Sequence, residues 1–291
     1  MKNIILKYFV VSMLFAMGVI ATSCKKDVIL ISGEPVGDGV IIGKFTVNRN
    51  GGCVYFSQGN LQYQASTGNW RFAEHQYDYI GEANNNISSS YSGWIDLFGW
   101  GTSGYNNKYP YMTSITFTDY GNGNSNIAGT NYDWGVYNKI SNGGNQAGLW
   151  RTLTKDEWVY VFNTRNTNSG IRYAKACVNN VNGVILLPDD WSVSYSSLNN
   201  TNSTSAGFTS NTITASQWTT LEQHGAVFLP AAGDRYVTSV YGAGSHGGYW
   251  SASFSSEYFA FSVYFDDSYL RQQDNGHRYD GLSVRLVRSA Q

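Results

Sequence analysis

The clearest pattern of apolar and polar side chains lies near the C-terminus, where strict alternation predicts a β-strand. Seven consecutive positions divide between two faces, with Phe259, Phe261, Val263 and Phe265 on one face and Ala260, Ser262 and Tyr264 on the other. This two-residue period is typical of an extended strand. Residues 266–268 then turn the chain, residues 272–280 lack apolar alternation and are expected to form an exposed loop, and residues 283–287 predict a final strand.

Shorter strand patterns occur earlier in the chain. Residues 54–57 and 59–63 indicate extended segments, and residues 66–69 supply a turn before a third extended segment at 70–72. Residues 226–230 are apolar and end at a proline, which predicts a short buried strand.

Two helices are predicted from their first turns. Thr154 and Glu157 have the spacing of a capping box, in which the hydroxyl and the carboxylate accept hydrogen bonds from otherwise unpaired backbone N–H groups. Thr214 and Gln217 repeat the pattern, and Gly225 is the expected stop. Apolar side chains then follow on one helix face, namely Trp158, Val161 and Phe162 in the first helix and Trp218 and Leu221 in the second.

The middle of the chain, residues 81–148, is rich in Gly and Asn and predicts long connections rather than regular elements. Residues 93–101 form an aromatic segment inside it, with Trp94 and Trp100 near its two ends. A compact loop of this kind packs on its own side chains. The segment is therefore expected to be a buried tryptophan cluster rather than a platform for stacking sugars.

The N-terminus has the pattern of a secretion signal. Lysines precede an apolar run over residues 8–20 that is too short for a stable transmembrane helix, and small residues then lead to Cys24. The segment resembles a bacterial lipoprotein signal, although Ala21 stands where Leu is usual. An ordinary cleaved signal, with Cys24 as a bystander, is the alternative.

Three regions follow from this pattern. Residues 1–23 are the predicted signal peptide, and residues 24–42 are a lipidated Cys24 with a flexible tether that contains Gly and Pro. Residues 43–291 are long enough for one well-buried domain. The expected location is the cell envelope, as an outer-membrane lipoprotein on the surface-exposed or the periplasmic face.

Composition excludes several classes of partner. Aromatic residues make up 15% of the chain and charged residues only 13%, against about a quarter in an average soluble protein. With a formal net charge of -1, no electrostatic attraction favours nucleic acid or an anionic membrane surface. The predicted membrane contact is therefore the lipid on Cys24 alone.

Cysteine usage is sparse. Cys53 and Cys177 remain in the domain once Cys24 is lipidated, and they form either one bridge or two small buried apolar sites. A cysteine-rich scaffold and a multi-thiolate zinc site are excluded.

Four segments resemble a known family in the expected order. Residues 149–158, Leu-Trp-Arg-Thr-Leu-Thr-Lys-Asp-Glu-Trp, are similar to the R-L-P-T-x-x-E-W motif of formylglycine-generating enzymes and sulfatase-modifying-factor relatives, with Thr152 in place of Leu and Leu153 in place of Pro. Residues 228–235, 248–253 and 283–287 complete the pattern. The resemblance extends to gut Bacteroidetes lipoproteins and the Fibrobacter major paralogous domain. It implies an α+β, C-type lectin-like fold, rich in sheet and loop, with two short helices.

The residues of this chain do not support the enzyme chemistry of that family. Formylglycine-generating enzymes work through a pair of closely spaced C-terminal cysteines that bind copper, and here no cysteine follows Cys177. The calcium-holding triplets of sugar-binding C-type lectins are also absent, as are a Ser-His-Asp set and a Gly-rich phosphate loop. We therefore expect no catalytic residue, no metal site and no cofactor. The histidines lack metal-ligand spacing, so His277 is expected to be a contact residue and His75, His224 and His246 structural.

The end of the chain also resembles the variable proteins of diversity-generating retroelements. In these proteins a C-type lectin-like scaffold displays C-terminal residues that adenine-directed mutagenesis rewrites. Residues 249–253 and 281–287 match the fixed ends of such a region, and residues 254–280 are its interior. Changing the adenines of an Asn codon gives Tyr, Ser, Asp, His, Phe, Arg or Gly, and the interior is largely of this set. Glu257, Gln272 and Gln273 depart from it and require fixed positions or other codons.

Residues 250–287 are therefore predicted to bind a protein or glycan ligand. Tyr and Arg supply rigid, amphipathic contact area, and Asp, Asn and His supply polar specificity. The expected contact residues are Tyr258, Tyr264, Asp266, Asp267, Tyr269, Arg271, Asp274, Asn275, His277, Arg278 and Tyr279.

Three other interpretations stay open. In the first, alternate members of this set pack inward while the rest are solvated. In the second, the protein is a structural or adhesive surface lipoprotein without diversification. In the third, it is an enzyme related to formylglycine-generating enzymes.

Overall fold

A computed structural model describes residues 38–290, and its secondary structure is α+β with more strand than helix. The predicted signal 1–23, the lipidation site Cys24 and residues 25–37 lie outside the described residues. The strands in chain order are β1 Phe45–Thr46, β2 Cys53–Phe56, β3 Leu61–Gln64, β4 Asn69–Phe72, β5 Arg151–Thr152, β6 Tyr173–Val178, β7 Val181–Leu186, β8 Thr212–Ile213, β9 Val227–Pro230, β10 Asp234–Tyr236, β11 Ser239–Tyr241, β12 His246–Phe254, β13 Phe259–Asp266, β14 Leu270–His277 and β15 Leu286–Ser289. The α-helices are α1 Trp134–Tyr137, α2 Lys155–Val159, which continues as a π-helical turn over Tyr160–Thr164, and α3 Ala215–Gln223. Four 3₁₀-helices cover Gly81–Asn86, Tyr105–Asn107, Phe117–Asp119 and Phe208–Ser210. The prediction of two helices and of no regular element within residues 81–148 is therefore corrected, because α1 and three of the 3₁₀-helices are short turns without an apolar period.

The domain begins before residue 43, where the sequence predicted its start. Ile41 is fully buried, and its N–H donates to the carbonyl of Phe56 at 2.9 Å. Val40 pairs with Ser57 in an antiparallel bridge. The predicted boundary is corrected because these two apolar side chains lie in the core rather than in a solvated spacer.

Within the described residues, three sheets have three or more strands. The first has the order β1-β2-β15-β5, so Val287 in the last strand pairs with Phe56 near the start of the domain and with Arg151. The second has the order β8-β6-β7-β9, and the third is the antiparallel set β12-β13-β14. The pairing of β15 with β2 brings the two ends of the domain together.

β12 lies at the centre of the core because both of its faces are buried. Tyr249 packs in one apolar cluster with Phe56 and Trp158, and Trp250 packs in a second cluster with Trp100. Burial of each large aromatic side chain contributes on the order of 2 kcal/mol. The third sheet is thus held from two sides.

The alternation along β13 is confirmed, but its covered face changes along the strand. Val263 and Phe265 are fully buried as predicted, whereas Phe259 and Phe261 are only half-buried and Ala260 on the opposite face is fully buried. Val263 and Phe265 belong to the cluster around Tyr249, and Ala260 belongs to the cluster around Trp250. One strand therefore presents opposite faces to the core at its two ends.

Residues 272–280 do not form the exposed loop that the sequence predicted. Most of them belong to β14, which pairs with β13 from Phe265↔Leu270 to Phe259↔His277. Beyond Leu270 the side chains of β14 alternate between exposed and half-buried but are polar or glycine at every position, so no apolar period marks the strand. Backbone hydrogen bonds to β13, which the core already fixes, favour the extended conformation.

The last strand is also displaced from its prediction. β15 covers Leu286–Ser289 rather than residues 283–287. Ser283 instead makes a single parallel bridge with Tyr249. Pairing with β2 and β5, two segments distant in sequence, sets the position of β15.

Both helix starts are confirmed. The Oγ1 of Thr154 accepts from the N–H of Glu157 at 3.3 Å, and the Glu157 carboxylate accepts from the N–H of Thr154 at 2.8 Å. Thr214 and Gln217 make the same reciprocal pair. Gly225 follows α3 with φ of +81°, a left-handed conformation that glycine adopts without strain.

The earlier strand predictions are confirmed as well. β2, β3, β4 and β9 lie within two residues of the predicted segments. The hairpin of β6 and β7, which pairs from Tyr173↔Leu186 to Val178↔Val181, was missed. Both of its faces are largely buried, so its sequence lacks the alternation that marks a half-exposed strand.

The long connection between β4 and β5 is held by two buried carboxylates. Asp96 accepts from the N–H of Ile80 and from the side-chain amide of Asn84, both at 2.9 Å. Asp133 accepts from the N–H and the hydroxyl of Thr152, both at 2.9 Å. Burial raises the pKa of each carboxyl group to about 6, partly offset by these hydrogen bonds.

The aromatic segment within this connection is buried as predicted at Trp100. The indole N–H of Trp100 donates to the carbonyl of Ser251 at 2.9 Å, and the side chain is fully buried. Trp94 differs, because it is half-buried and its ring lies 4.0 Å from the guanidinium of Arg71.

The two cysteines of the domain do not form a bridge. Cys53 and Cys177 are separate free thiols, and each is partly exposed.

Across residues 38–290, no helix combines the length and the apolar character needed to cross a bilayer.

Raising the pH from about 4 to about 6 is expected to lower the free energy of unfolding. The folded pKa of Asp96 and of Asp133 is about 6, whereas the unfolded value is about 3.9. Between pH 4 and pH 6 the folded state binds more protons than the unfolded state. The stabilisation that comes from the protonated Asp96 and Asp133 is therefore present below pH 4 and is lost as the pH rises through 6. The loss is on the order of 2 kcal/mol for each carboxylate, and urea unfolding across this pH range measures it.

Asp96→Asn should reduce that pH dependence, because it removes one of the carboxyl groups whose folded pKa is raised to about 6. Asp190→Asn is the matched control, since Asp190 is exposed. An unchanged slope in Asp96→Asn would contradict the prediction.

Candidate functional site

The hairpin of β13 and β14 carries most of the predicted contact residues. β14 is the edge strand of its sheet, so its outer side is not covered by a further strand of that sheet. Pairing places Tyr264 opposite Arg271 and Asn275 opposite Phe261. An extra residue in β14 shifts the register between these two pairs. Such a bulge twists the edge strand and changes where its side chains point.

The turn of the hairpin is fixed by Asp266 and Asp267. Asp266 accepts from the N–H groups of Ser268 and Tyr269, both at 2.7 Å, and from the hydroxyl of Tyr264 at 3.1 Å. Partial burial acts to raise the pKa of Asp266, but the two N–H donors outweigh it and hold the pKa below its ordinary value. Asp267 accepts from the N–H of Phe208 at 2.8 Å. These two carboxylates, predicted as contacts, therefore shape the turn.

Beside the turn lies the turn-end group, which we define as Tyr264, Tyr269, Arg271 and Asp274. The guanidinium of Arg271 lies 5.6 Å from the Tyr269 ring centroid and 3.6 Å from a carboxylate oxygen of Asp274. Tyr269 is 57% exposed and the Arg271 side chain 58% exposed. A partly exposed cation over an aromatic ring presents both charge and apolar area to solvent.

At the other end of the hairpin lies the open-end group, which we define as Tyr258, His277 and Tyr279. The ring of His277 stacks on Tyr279 at 4.9 Å between centroids and lies 4.4 Å from Phe259. Tyr258 is 49% exposed and its ring contacts Phe117 at 4.5 Å. These packed rings form an aromatic surface. Asn275 is exposed between the two groups.

A half-buried carboxyl group supports the open-end group. Asp280 accepts from the N–H of His277 at 2.9 Å, and its carboxylate lies 3.6 Å from the His277 ring nitrogen Nδ1. Burial raises the pKa of Asp280 to about 6, and the negative charge of Asp234 adds to this, while His277 opposes it. The contacts with Asp280 thus fix the orientation of His277.

Arg278 is not on the exposed surface where the sequence placed it. Its side chain is buried, with the guanidinium 4.9 Å from the Phe254 ring and 5.4 Å from the Trp100 ring. It donates to the carbonyl of Ser256 at 3.3 Å, and burial lowers its pKa. The prediction of an exposed Arg278 is wrong because two aromatic rings distant in sequence close over its guanidinium.

Three residues that the sequence did not assign to the site border it. His246 on β12 and Asp234 on β10 are linked by a 3.1 Å contact between ring nitrogen and carboxylate oxygen. The His246 ring lies 5.6 Å from Tyr264, whose pKa is raised to about 12 by burial and then by Asp266. Tyr236 lies 5.9 Å from Tyr279. They come from other strands, so no local pattern pointed to them.

Arg278→Ala is expected to lower the free energy of unfolding by about 2 kcal/mol or more, because it leaves a cavity between Trp100 and Phe254. Arg271→Ala should change it by no more than about 0.5 kcal/mol, because that side chain is exposed. Urea unfolding of the two variants beside the parent protein measures both. Equal effects would show that Arg278 is not part of the core.

Comparison with protein-family models, with curated proteins and with solved structures finds no match to this chain. Among residues 38–290, no cluster of three or more His, Cys, Asp or Glu side chains is arranged to hold a metal ion. The geometry of the β13–β14 hairpin is therefore the main basis for a functional proposal.

Proposed function

We propose that this protein is a cell-envelope lipoprotein whose C-type lectin-like domain binds a protein or glycan ligand through the outward side chains of the β13–β14 hairpin. One observation carries the proposal. A set of exposed Tyr, Arg, Asp and Asn side chains stands on a hairpin whose backbone is fixed by the core. Substitution of exposed side chains on a rigid frame changes the specificity for a partner without loss of the fold.

Several features of the frame support the proposal. Tyr249 and Trp250, at the start of the C-terminal region, and Val284 and Leu286, at its end, are fully buried. Gly276 lies against Trp250, and a Cβ added there would approach the indole ring to 2.8 Å. These positions tolerate little change, whereas Tyr269 and Arg271 are open to solvent.

The chemistry of the outward positions suits recognition. Tyr buries a large amphipathic surface with little loss of side-chain entropy, and Arg adds charge and planar hydrogen bonding. The turn-end group places both beside Asp274, and the open-end group adds stacked rings of His277 and Tyr279. A ligand that spans the hairpin meets charge at one end and aromatic area at the other.

The domain organisation favours the C-type lectin-like assignment. Antiparallel pairing of β15 with β2 joins the two ends of the domain, and short helices flank a sheet-rich core. In that fold the C-terminal region lies on the scaffold rather than in a separate module. The proposed lipid on Cys24 would hold the hairpin at the cell envelope.

If the C-terminal region is diversified, the structure predicts which single positions vary and which stay fixed. In isolates of one species, amino-acid changes within residues 254–280 are expected at outward positions such as Tyr258, Tyr269, Arg271 and Asn275, because these side chains are exposed. Gly276 and Arg278 should stay fixed, because they pack against Trp250 and Trp100. Sequencing the gene and its flanking DNA also tests for a reverse transcriptase and a template repeat. Uniform drift along the chain would indicate a fixed adhesive lipoprotein instead.

Binding is tested by replacing Tyr269, Arg271 and Tyr279 together with Ala. The purified protein is screened against an array of charged glycans and a phage library of random peptides, and every probe that binds saturably is measured again on the variant. We expect a loss of at least about tenfold in affinity, since aromatic and Arg hot spots carry most of the binding free energy.

The matched control replaces Tyr109, Tyr137 and Lys139 with Ala, because these exposed side chains lie outside residues 250–287. That variant should keep the affinity of the parent protein. Both variants should unfold at nearly the same urea concentration as the parent. Retained binding in the first variant would refute the assignment of the hairpin.

A further inference from the structure

A second candidate site lies in a cleft away from the C-terminal hairpin. It has a volume of about 340 Å³ and is enclosed by the loop 195–199, by Ser210–Ile213 around β8, and by one side of α3. None of its lining residues belongs to residues 250–287. Its volume is at the small end of the range for small-molecule sites.

The lining is uncharged. Ile213 and Leu221 are buried and give the cleft an apolar floor. Hydroxyl and amide groups surround that floor, including those of Thr212, Gln217 and Thr220. No Asp, Glu, Lys or Arg side chain lines the cleft. A charged ligand would therefore lose its hydration without gaining a counter-charge.

The walls are held by their own hydrogen bonds. The buried Asn211 amide donates to the carbonyl of Asn199 at 3.0 Å, and its oxygen accepts from the N–H of Asn199 at 2.7 Å. Gln217 uses its Oε1 to accept from Thr214 at the start of α3, so its Nε2 is the group that remains to donate. The loop is thus tied to the segment leading into β8, and the polar groups are in place before a ligand arrives.

An aromatic side chain stands at the edge of the cleft. Tyr195 stacks on His224 with 3.6 Å between ring centroids and 2° between ring planes, and its ring meets Trp191 edge-on at 5.4 Å. Tyr195 remains 37% exposed. Two packed neighbours fix the orientation of this ring, so it loses little entropy on contact with a ligand.

We infer that the cleft binds a neutral carbohydrate. A pyranose ring has an apolar C–H face and a rim of uncharged hydroxyl groups, which match the apolar floor, the Tyr195 ring and the hydroxyl and amide walls. A purely apolar ligand would leave the wall groups without hydrogen bonds, which is costly for desolvated polar groups. The volume accommodates a short stretch of sugar rather than a protein segment.

Isothermal titration calorimetry with purified protein tests this site. The probes are maltohexaose, cellohexaose, xylohexaose and mannohexaose, each titrated alone, with an oligogalacturonate as the charged comparison. Saturable binding of at least one neutral oligosaccharide is expected. Failure of all four neutral probes at millimolar concentration, or binding of the oligogalacturonate in their place, would overturn the inference.

Variants locate the binding. Tyr195→Ala should weaken it by about tenfold or more, through loss of a rigid aromatic contact. Thr220→Val, which keeps the side-chain shape and removes the hydroxyl, should also weaken binding. It tests the cleft even if Tyr195→Ala fails to fold. Tyr241→Ala is the matched control, because Tyr241 is exposed outside the cleft. Unchanged affinity in both cleft variants would refute the site.

The site is independent of the proposed hairpin function. The triple variant of Tyr269, Arg271 and Tyr279 should bind the neutral oligosaccharide as the parent protein does. If that variant loses binding while the two cleft variants keep it, the sugar binds to the hairpin, and the assignment of the cleft is wrong.

Discussion

The burial of β12 on both faces is the constraint on which the rest of the structure depends. A strand covered on both sides must satisfy its polar groups inside the protein. Tyr249 does so by donating its hydroxyl to the carbonyl of Pro230 at 2.9 Å and accepting from Asn60, while the indole N–H of Trp250 donates to the carbonyl of Phe98. These bonds join the central strand to the N-terminal third and to β9. β13 pairs with this fixed strand, and β14 pairs with β13.

A buried arginine extends the same network to the end of the chain. The guanidinium of Arg285 donates to the side-chain oxygen of Gln76 at 2.6 Å and to the carbonyl of Phe228 at 3.3 Å. Burial lowers the pKa of Arg285 to about 10, which reflects the cost of removing the charge from water. Gln76 in turn donates to the carboxylate of Glu222 on α3. The C-terminal segment, β9 and α3 are therefore coupled through one side-chain amide.

The two proposed surfaces differ in chemistry because they stand on different parts of this frame. The β13–β14 hairpin projects charged and aromatic side chains from an edge strand, where replacing an exposed group costs the fold little. The cleft beside α3 is neutral, and its walls are tied down by Asn211 and by the capping residues of α3. The proposed hairpin surface can therefore change its exposed side chains at little cost to the fold, whereas the proposed cleft presents fixed, neutral groups.

The sequence by itself determined the features that rest on short-range interactions. The capping boxes at Thr154 and Thr214 were predictable because a cap needs only residues three positions apart. Alternation placed β13, and the composition of residues 254–280 indicated exposed Tyr, Arg and Asn side chains. Only the tertiary structure decided that β14 is a strand, since its polar sequence is extended through pairing with β13. It also decided that Arg278 is buried, because Trp100 and Phe254 close over it, and that Asp234 and His246 lie beside Tyr264. Contacts between residues far apart in the chain leave no local pattern, and so the sequence did not contain a readable signal for them.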